Sequence, residues 1–252
     1  MNDLVSIITP NLNGEHFVER AYQSISSQTH TNWEWIVIDD FSLDQGERVA
    51  KLQSQDPRVK LIKLSINQGA SVARNTWLDN AIGNYIAFLD MDDYWLPEKL
   101  EDCLTFMKRE SVNFVYTNYR KYLTTTQQLS VPIQTPKKVT YTDLLKTCSI
   151  CTSTVVISKG LIGNTRMAVS LRRGQDYFFW LQILARMDGA WRCTEKPMTL
   201  YSIGHLSLSS NKLRKALGQW KIYREYLKLG LLPSLYYFMN YAYHGYLKYK
   251  KF

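Results

Sequence analysis

A chain of 252 residues with 45% apolar and 21% charged side chains is long enough to bury a sizeable core, and this composition excludes wholesale disorder. It holds no run of 18 apolar residues, so a bilayer-spanning helix is not expected. The formal charge of +9 is concentrated: residues 212–252 carry nine basic side chains against one acid, Glu225, which leaves the rest of the chain nearly neutral.

Leu4–Thr9 is a short apolar run that reads as a strand, with no basic and apolar leader before it, so no secretory signal is expected. Phe17, Val18, Ala21, Tyr22 and Ile25 recur at helical spacing. Trp35–Ile38 is a second strand, followed by Asp39-Asp40-Phe41-Ser42 and a polar helical stretch to Gln53. Val59–Leu64 is a third strand, and the spacing predicts a helix over 70–81. Tyr85–Leu89 is the fourth strand and ends in Asp90-Met91-Asp92-Asp93. Pro97 opens a helix through Lys108, as proline does best in a first turn, and Phe114–Thr117 is another short strand. Leu123–Thr147, polar and threonine-rich with Pro132 and Pro136, reads as a hairpin or loop excursion. Thr154–Ile157 is a buried strand, Gln175–Met187 a strong helix and Met198–Tyr201 a late strand.

Strands separated by helices of this length imply right-handed βαβ units and an α/β fold with a mostly parallel sheet. Ligands of such sheets bind outside the carboxyl ends of the strands. Three polar clusters fall at those ends: Thr9-Pro10-Asn11, Asp39-Asp40, and the three aspartates after the fourth strand. No internal repeat appears, and no domain boundary is expected before about residue 210.

Carboxylates as close as Asp90, Asp92 and Asp93 repel one another unless a cation sits among them. Hard oxygen ligands suit Mg²⁺ or Mn²⁺, which bridge to substrate phosphates; the competing reading is a solvated loop that caps the next helix. Asp39 and Asp40 suit a base N–H or ribose hydroxyl, or equally a turn into a helix. Gly69 opens a helix carrying Arg74, which can meet a phosphate or lie exposed. Asp176 begins an apolar helix, either as a general base or as an acid favoured by the helix dipole. Cys103, Cys148, Cys151 and Cys193 read as reduced structural thiols; Cys148 and Cys151 form a C-x-x-C pair without the second pair that a zinc site needs.

Together, Val5 to Asn11, Val37 to Ser42, Asn67 to Asn75, Phe88 to Asp93 and Gly174 to Trp180 resemble family 2 glycosyltransferases, in family order and spacing. The similarity covers about residues 3–211 and is closest to small bacterial enzymes of O-antigen, capsule and teichuronic acid assembly. The resemblance implies a GT-A fold, flanking helices around a mostly parallel sheet, and inverting, metal-dependent transfer of a hexose or N-acetylhexosamine from a nucleotide sugar, usually a UDP-sugar. It implies Asp92 as the Mn²⁺ or Mg²⁺ ligand, Asp90 as the residue facing ribose and donor sugar, Thr9, Asn11 and Asp39 at the nucleoside with Asp40 nearby, Arg74 toward the nucleotide, and Asp176 as the catalytic base. Members often carry Tyr-Arg, and some a histidine, where this chain reads Tyr201-Ser202-Ile203-Gly204-His205. Ser202 replaces that arginine, and His205 is left as a candidate for metal or diphosphate against the reading of a loop histidine.

Residues 1–211 thus read as a catalytic domain and 212–252 as a basic, aromatic helical tail. Lys221, Arg224 and Lys228 form a basic stripe beside Trp220, Tyr223 and Leu227, and a second helix aligns Leu235, Phe238, Met239, Ala242 and Tyr246. The tail suits an anionic membrane surface, which would put the enzyme in the cytoplasm on the inner face of the membrane, acting on a lipid-linked saccharide acceptor. The competing reading is packing on the body or a homodimer contact, and membrane binding and such a contact can hold on different faces. A basic–aromatic nucleic-acid-binding module leaves the aspartates unexplained, so no nucleic acid is expected; a non-catalytic nucleotide-sugar-binding protein is the remaining alternative.

Overall fold

In the computed structural model, which describes residues 3–44, 46–77, 80–171, 173–204 and 212–249, the first strand β1 (Val5–Asn11) lies between two parallel neighbours. These are β2 (Trp33–Asp39) and β4 (Tyr85–Phe88). All of β2 and nearly all of β1 are buried, which is why both read as continuous apolar runs. Alternate side chains enter opposite faces: Ile7, Trp35 and Val37 join one core, Ile8, Ile36 and Ile38 the other. On the first face lie α1 (Glu15–Ser26), α2 (Glu47–Gln55) and α4 (Lys99–Arg109), through Val18, Ile25, Val49, Leu100 and Leu104. On the second lie α3 (Ala70–Thr76), α5 (Tyr141–Lys146) and α7 (Gln175–Leu184), through Ala73, Leu144, Leu145 and Trp180.

The sheet order is β3-β2-β1-β4-β9-β6-β10-β5, with β3 at Val59–Lys63, β5 at Tyr94–Trp95, β6 at Phe114–Leu123, β9 at Val156–Ser158 and β10 at Ala190–Ile203. The chain runs outward from β1 to β3 and then returns to the far side of β1 as β4. The strand order therefore reverses between β1 and β4, where an open α/β sheet forms its ligand crevice. The long ladders are parallel; β9 and β5 insert antiparallel. Two short strands, β7 (Gln128–Leu129) and β8 (Lys138–Val139), pair with β6 and β10, and α6 (Lys159–Ile162) follows β9.

The expected α/β architecture is present, with differences in extent. Helix α3 is Ala70–Thr76, with Trp77 next buried edge-on against Phe88; of the extension expected to 81, residues 78 and 79 lie outside the described residues, and Asn80 N and Ala81 N donate to the Trp77 carbonyl. The hairpin expected after Leu123 forms with β7, but 138–146 is a strand and a short helix rather than loop. That helix opens with a capping box in which Asp143 N donates to Thr140 Oγ1 and Thr140 N to Asp143. Strands β6 and β10 outrun their apolar cores, since about half of each is only partly buried and needs no apolar side chains.

The C-terminal segment is docked on the body. Helix α8 (Lys212–Lys221) passes through a π-helical turn, Ile222–Tyr226, to α9 (Leu231–Tyr249). Ile222 and Tyr223 are buried in the core, Tyr223 donates to the Leu145 carbonyl at 2.5 Å, and Tyr226 packs edge-on against Phe178 at 5.3 Å. Among the described residues no helix is long and apolar enough to cross a membrane.

Candidate active site

At the carboxyl ends of β1 and β2 the register sets Asn11 opposite Asp39. Asn11 Nδ2 donates to Asp39 Oδ1 at 2.8 Å, and Ser42 donates to Asp39 through both its backbone N–H and its hydroxyl. Thr9, one turn of the pleat below, is fully buried and its Oγ1 accepts from Trp35 Nε1 at 2.8 Å. Its side chain therefore braces the strands from beneath. Asp40 accepts from the backbone N–H groups of Gln68 and Gly69, each at 2.7 Å. Gly69 sits at φ +86°, where a side chain would be strained, so this turn needs glycine to present its N–H to Asp40 and start α3.

Helix α3 delivers Arg74, which is 8% exposed. Its Nη2 donates to Asp90 Oδ1 at 2.5 Å. Burial alone would push the guanidinium down, but the charges of Asp90, Asp176 and Asp92 outweigh it and hold Arg74 above its ordinary value. One cation thus faces three carboxylates from segments far apart in the chain.

The Asp90–Asp93 loop after β4 splits its three acids. Asp93 is fully buried: Ser153 Oγ donates to its Oδ2 at 2.5 Å and Ser202 N to its Oδ1 at 2.8 Å. Burial, with Asp92 and Asp90 adding, raises its pKa well above the usual carboxylate range. Asp90 and Asp92 stay partly exposed. The carbonyl of Asp92 accepts from Ser202 Oγ at 2.5 Å and from Arg20, whose guanidinium lies over the rings of Tyr94 and Tyr122. Two partly exposed carboxylates beside a buried inward-facing one fit an ion such as Mg²⁺ or Mn²⁺, which takes one or two protein carboxylates and fills its shell from phosphates and water. Among the described residues no group of three or more His, Cys, Asp or Glu side chains is gathered closely enough to hold a metal ion by itself.

Asp176 lies in the first turn of α7, after Gly174 in the left-handed region. Its Oδ1 accepts from Tyr177 N at 2.8 Å and its Oδ2 from Thr152 Oγ1 at 3.0 Å. His205 lies outside the described residues. All four cysteines are free; Cys103 and Cys193 approach to 3.3 Å between sulfurs, and burial, with Asp93 and Asp90 adding, pushes the Cys151 thiol well up.

The fold therefore brings Asn11, Asp39, Arg74, Asp90, Asp92 and Asp176 to one edge of the sheet, and turns Thr9 and Asp40 to support it. Sequence reasoning missed Arg20, Thr152, Ser153 and the structural use of Ser202. These residues reach partners 24 to 182 positions away, and no local spacing marks them.

The profile of the family described as Glycosyl transferase family 2 matches residues 6–170. The chain is 36% identical to a putative teichuronic acid biosynthesis glycosyltransferase of Bacillus subtilis over 95% of its own length and 94% of that protein. It is 35% identical to a UDP-Glc:alpha-D-GlcNAc-diphosphoundecaprenol beta-1,3-glucosyltransferase of Escherichia coli, over 94% of this chain and 92% of the relative. Among solved structures, TarS of S. aureus in complex with UDP-GlcNAc superposes with a TM-score of 0.73 at 21% identity, covering 90% of this chain and 67% of that one. A mannosyltransferase of Pyrobaculum calidifontis in complex with GDP-Man and Mn²⁺ gives 0.63 at 17%, over 90% and 64%. These two likenesses establish the GT-A fold.

Proposed function

This chain belongs to glycosyl transferase family 2, and from that premise we propose that it moves a sugar, with inversion, from a UDP-sugar to a hydroxyl of a lipid-diphosphate-linked saccharide in bacterial surface polysaccharide synthesis. The observation that carries this reading is the meeting of Asp90, Asp92 and Asp176 around Arg74 at the switch point of the sheet. The lipid-diphosphate-linked substrate of the Escherichia coli relative supports this acceptor class, and the sugar moved is a hexose or N-acetylhexosamine.

Asn11 and Asp39 border the nucleoside end, with Asp40 and Thr9 shaping the backbone there. Asp92, with Asp90 beside it, would hold Mn²⁺ or Mg²⁺ against the donor diphosphate. When bound, such an ion neutralises negative charge growing on the departing diphosphate. Arg74 adds a permanently charged donor to the same region. Asp176 takes the proton of the acceptor hydroxyl as that oxygen attacks the anomeric carbon from the face opposite the diphosphate. The bond from the anomeric carbon to the diphosphate breaks, its electron pair leaves with UDP, and no covalent intermediate with the protein forms.

The C-terminal element, residues 212–252, is assigned to the membrane face of the catalytic unit, residues 1–211. Ile222 and Tyr223 are spent on packing, while Leu232, Leu235, Tyr236, Met239 and Tyr243 stand exposed along one side of α9. Lys221, Arg224 and Lys228, in the segment before α9, are exposed as well, and their charge complements anionic headgroups. On this reading the enzyme works in the cytoplasm, peripheral on the inner face of the membrane, where a lipid-linked acceptor is found.

The test is transfer itself. Purified protein is incubated with Mn²⁺, a panel of UDP-sugars beginning with UDP-glucose, and an N-acetylglucosaminyl diphosphate carrying a short lipid. A β-linked product from an α-linked donor, read from the anomeric proton coupling, is expected. Saturable UDP binding without turnover on any donor would make the chain a nucleotide-sugar-binding protein, and an α-linked product would overturn inversion.

A further inference from the structure

The turn Thr152–Thr154 enters the site between β4 and α7 and is held stiffly: Thr154 donates to the Cys151 carbonyl through both its N–H and its hydroxyl, and Val155 N donates to the Thr152 carbonyl. Its two adjacent hydroxyls point to different parts of the site. Ser153 Oγ donates to Asp93 and accepts from Asp90 N at 3.2 Å, while the Ser153 carbonyl accepts from Trp95 Nε1 at 2.7 Å. Thr152, 5% exposed, donates to Asp176 Oδ2. Among the described residues this is the side-chain hydrogen bond that the Asp176 carboxylate receives; its other oxygen takes the N–H of the next residue.

We propose that Thr152 is a positioning residue for Asp176, and that the Thr152–Ser153 pair ties the orientation of this carboxylate to the Asp90–Asp93 loop. The proposal rests on the reading of Asp176 as the base. An aspartate in a first helical turn can otherwise swing toward the unpaired N–H groups of the helix. The hydroxyl holds one carboxylate oxygen while the Tyr177 N–H holds the other, so both oxygens are fixed in direction. A base acts only within hydrogen-bond reach of its proton, and a displacement of about 1 Å costs on the order of 10²-fold in rate. Because Ser153, the next residue, grips the loop that receives the donor, the distance between donor and base is set by one short rigid segment.

The test compares Thr152→Val, which keeps the shape and removes the donor, with Thr152→Ser, which keeps the hydroxyl. With UDP-glucose and the lipid acceptor analogue, Thr152→Val is expected to lose about 10- to 100-fold in kcat with donor KM and UDP affinity unchanged. Thr152→Ser recovers most of that loss. In an Asp176→Asn background, Thr152→Val costs nothing further. Wild-type kcat in Thr152→Val, equal losses in both variants with a lowered Tm, or additive losses in the double variant would each overturn the proposal. If Asp176→Asn itself keeps wild-type turnover rather than a small residual rate, the base reading fails instead. A crystal structure of Thr152→Val provides a readout independent of turnover: a rotated Asp176 side chain is expected, and an unmoved one overturns the proposal.

Discussion

Arg74 and Asp90 form an ion pair in which the arginine is almost wholly buried while the aspartate keeps about a third of its side chain in solvent. Asp92 and Asp176 also act on the guanidinium, whose positive charge offsets part of the repulsion among these acids. Replacing Arg74 by Met removes that cation. Breaking a fully buried pair costs roughly 3–5 kcal/mol, and the exposure of Asp90 reduces this to about 2 kcal/mol. Because a divalent ion between the same acids replaces the lost charge, added Mn²⁺ is expected to raise the Tm of Arg74→Met more than that of the wild type. Calorimetry with and without Mn²⁺ measures this, and equal shifts would show that Arg74 does not balance the acids.

Asp92 and Asp93 are neighbours with opposite fates. Asp92→Ala is expected to weaken UDP binding at least 10-fold in Mn²⁺, with little difference in excess chelator and an unchanged Tm. Asp93→Leu instead strands Ser153 Oγ and Ser202 N and is expected to cost about 1–3 kcal/mol of stability. Titration calorimetry and thermal melts separate the two; equal UDP affinities for Asp92→Ala and wild type in Mn²⁺ would remove Asp92 from the metal.

Lys99 is fully buried, with its ammonium 3.7 Å from the Trp95 ring centre and 3.4 Å from the Val155 carbonyl. Burial pushes its pKa down to about 8, with Cys103 and Cys193 opposing. The unfolded value is about 10.4, so between these two values the unfolded chain binds more protons and raising the pH favours the folded state. Lys99→Met is therefore expected to be more stable than wild type at pH 7, by on the order of 2 kcal/mol, with the gap narrowing as pH rises from 8 to 10. Denaturant midpoints across this range test it, and a gap that widens would contradict the sign.

The exposed side of α9 is expected to hold the protein on phosphatidylglycerol vesicles. Leu232→Glu with Met239→Glu should abolish sedimentation with vesicles while leaving UDP binding intact. Neutralising Lys221, Arg224 and Lys228 together should weaken it about 100-fold, from roughly 1 kcal/mol per basic side chain near the surface. Retention of both variants would mean that the stripe does not touch lipid.

Much of the site was legible because it is written in short segments. Asp90 and Asp92 follow an apolar strand directly, Asp39 and Asn11 end strands that pair in register, and Asp176 opens an apolar helix, so each could be placed from its own neighbourhood. Asp40 shows the limit of that reasoning: its place beside Asp39 marked it for the nucleoside, and the fold turns both of its oxygens to the Gln68–Gly69 turn. The tail was similarly half legible. Its basic and apolar stripes follow from helical spacing, but the burial of Tyr223 against Leu145 depends on a surface built from residues about eighty positions earlier.

By itself the sequence determined the alternation of strands and helices, the carboxylates at the strand ends and the basic charge of the tail, since each depends on spacing along a few turns of chain. The tertiary structure alone decided which of three adjacent acids turns inward, that Arg74 faces the others, and that Thr152 reaches Asp176. The physical reason is that a buried carboxylate or guanidinium is stable only where the folded chain supplies its partners, and those partners come from segments that no local pattern connects.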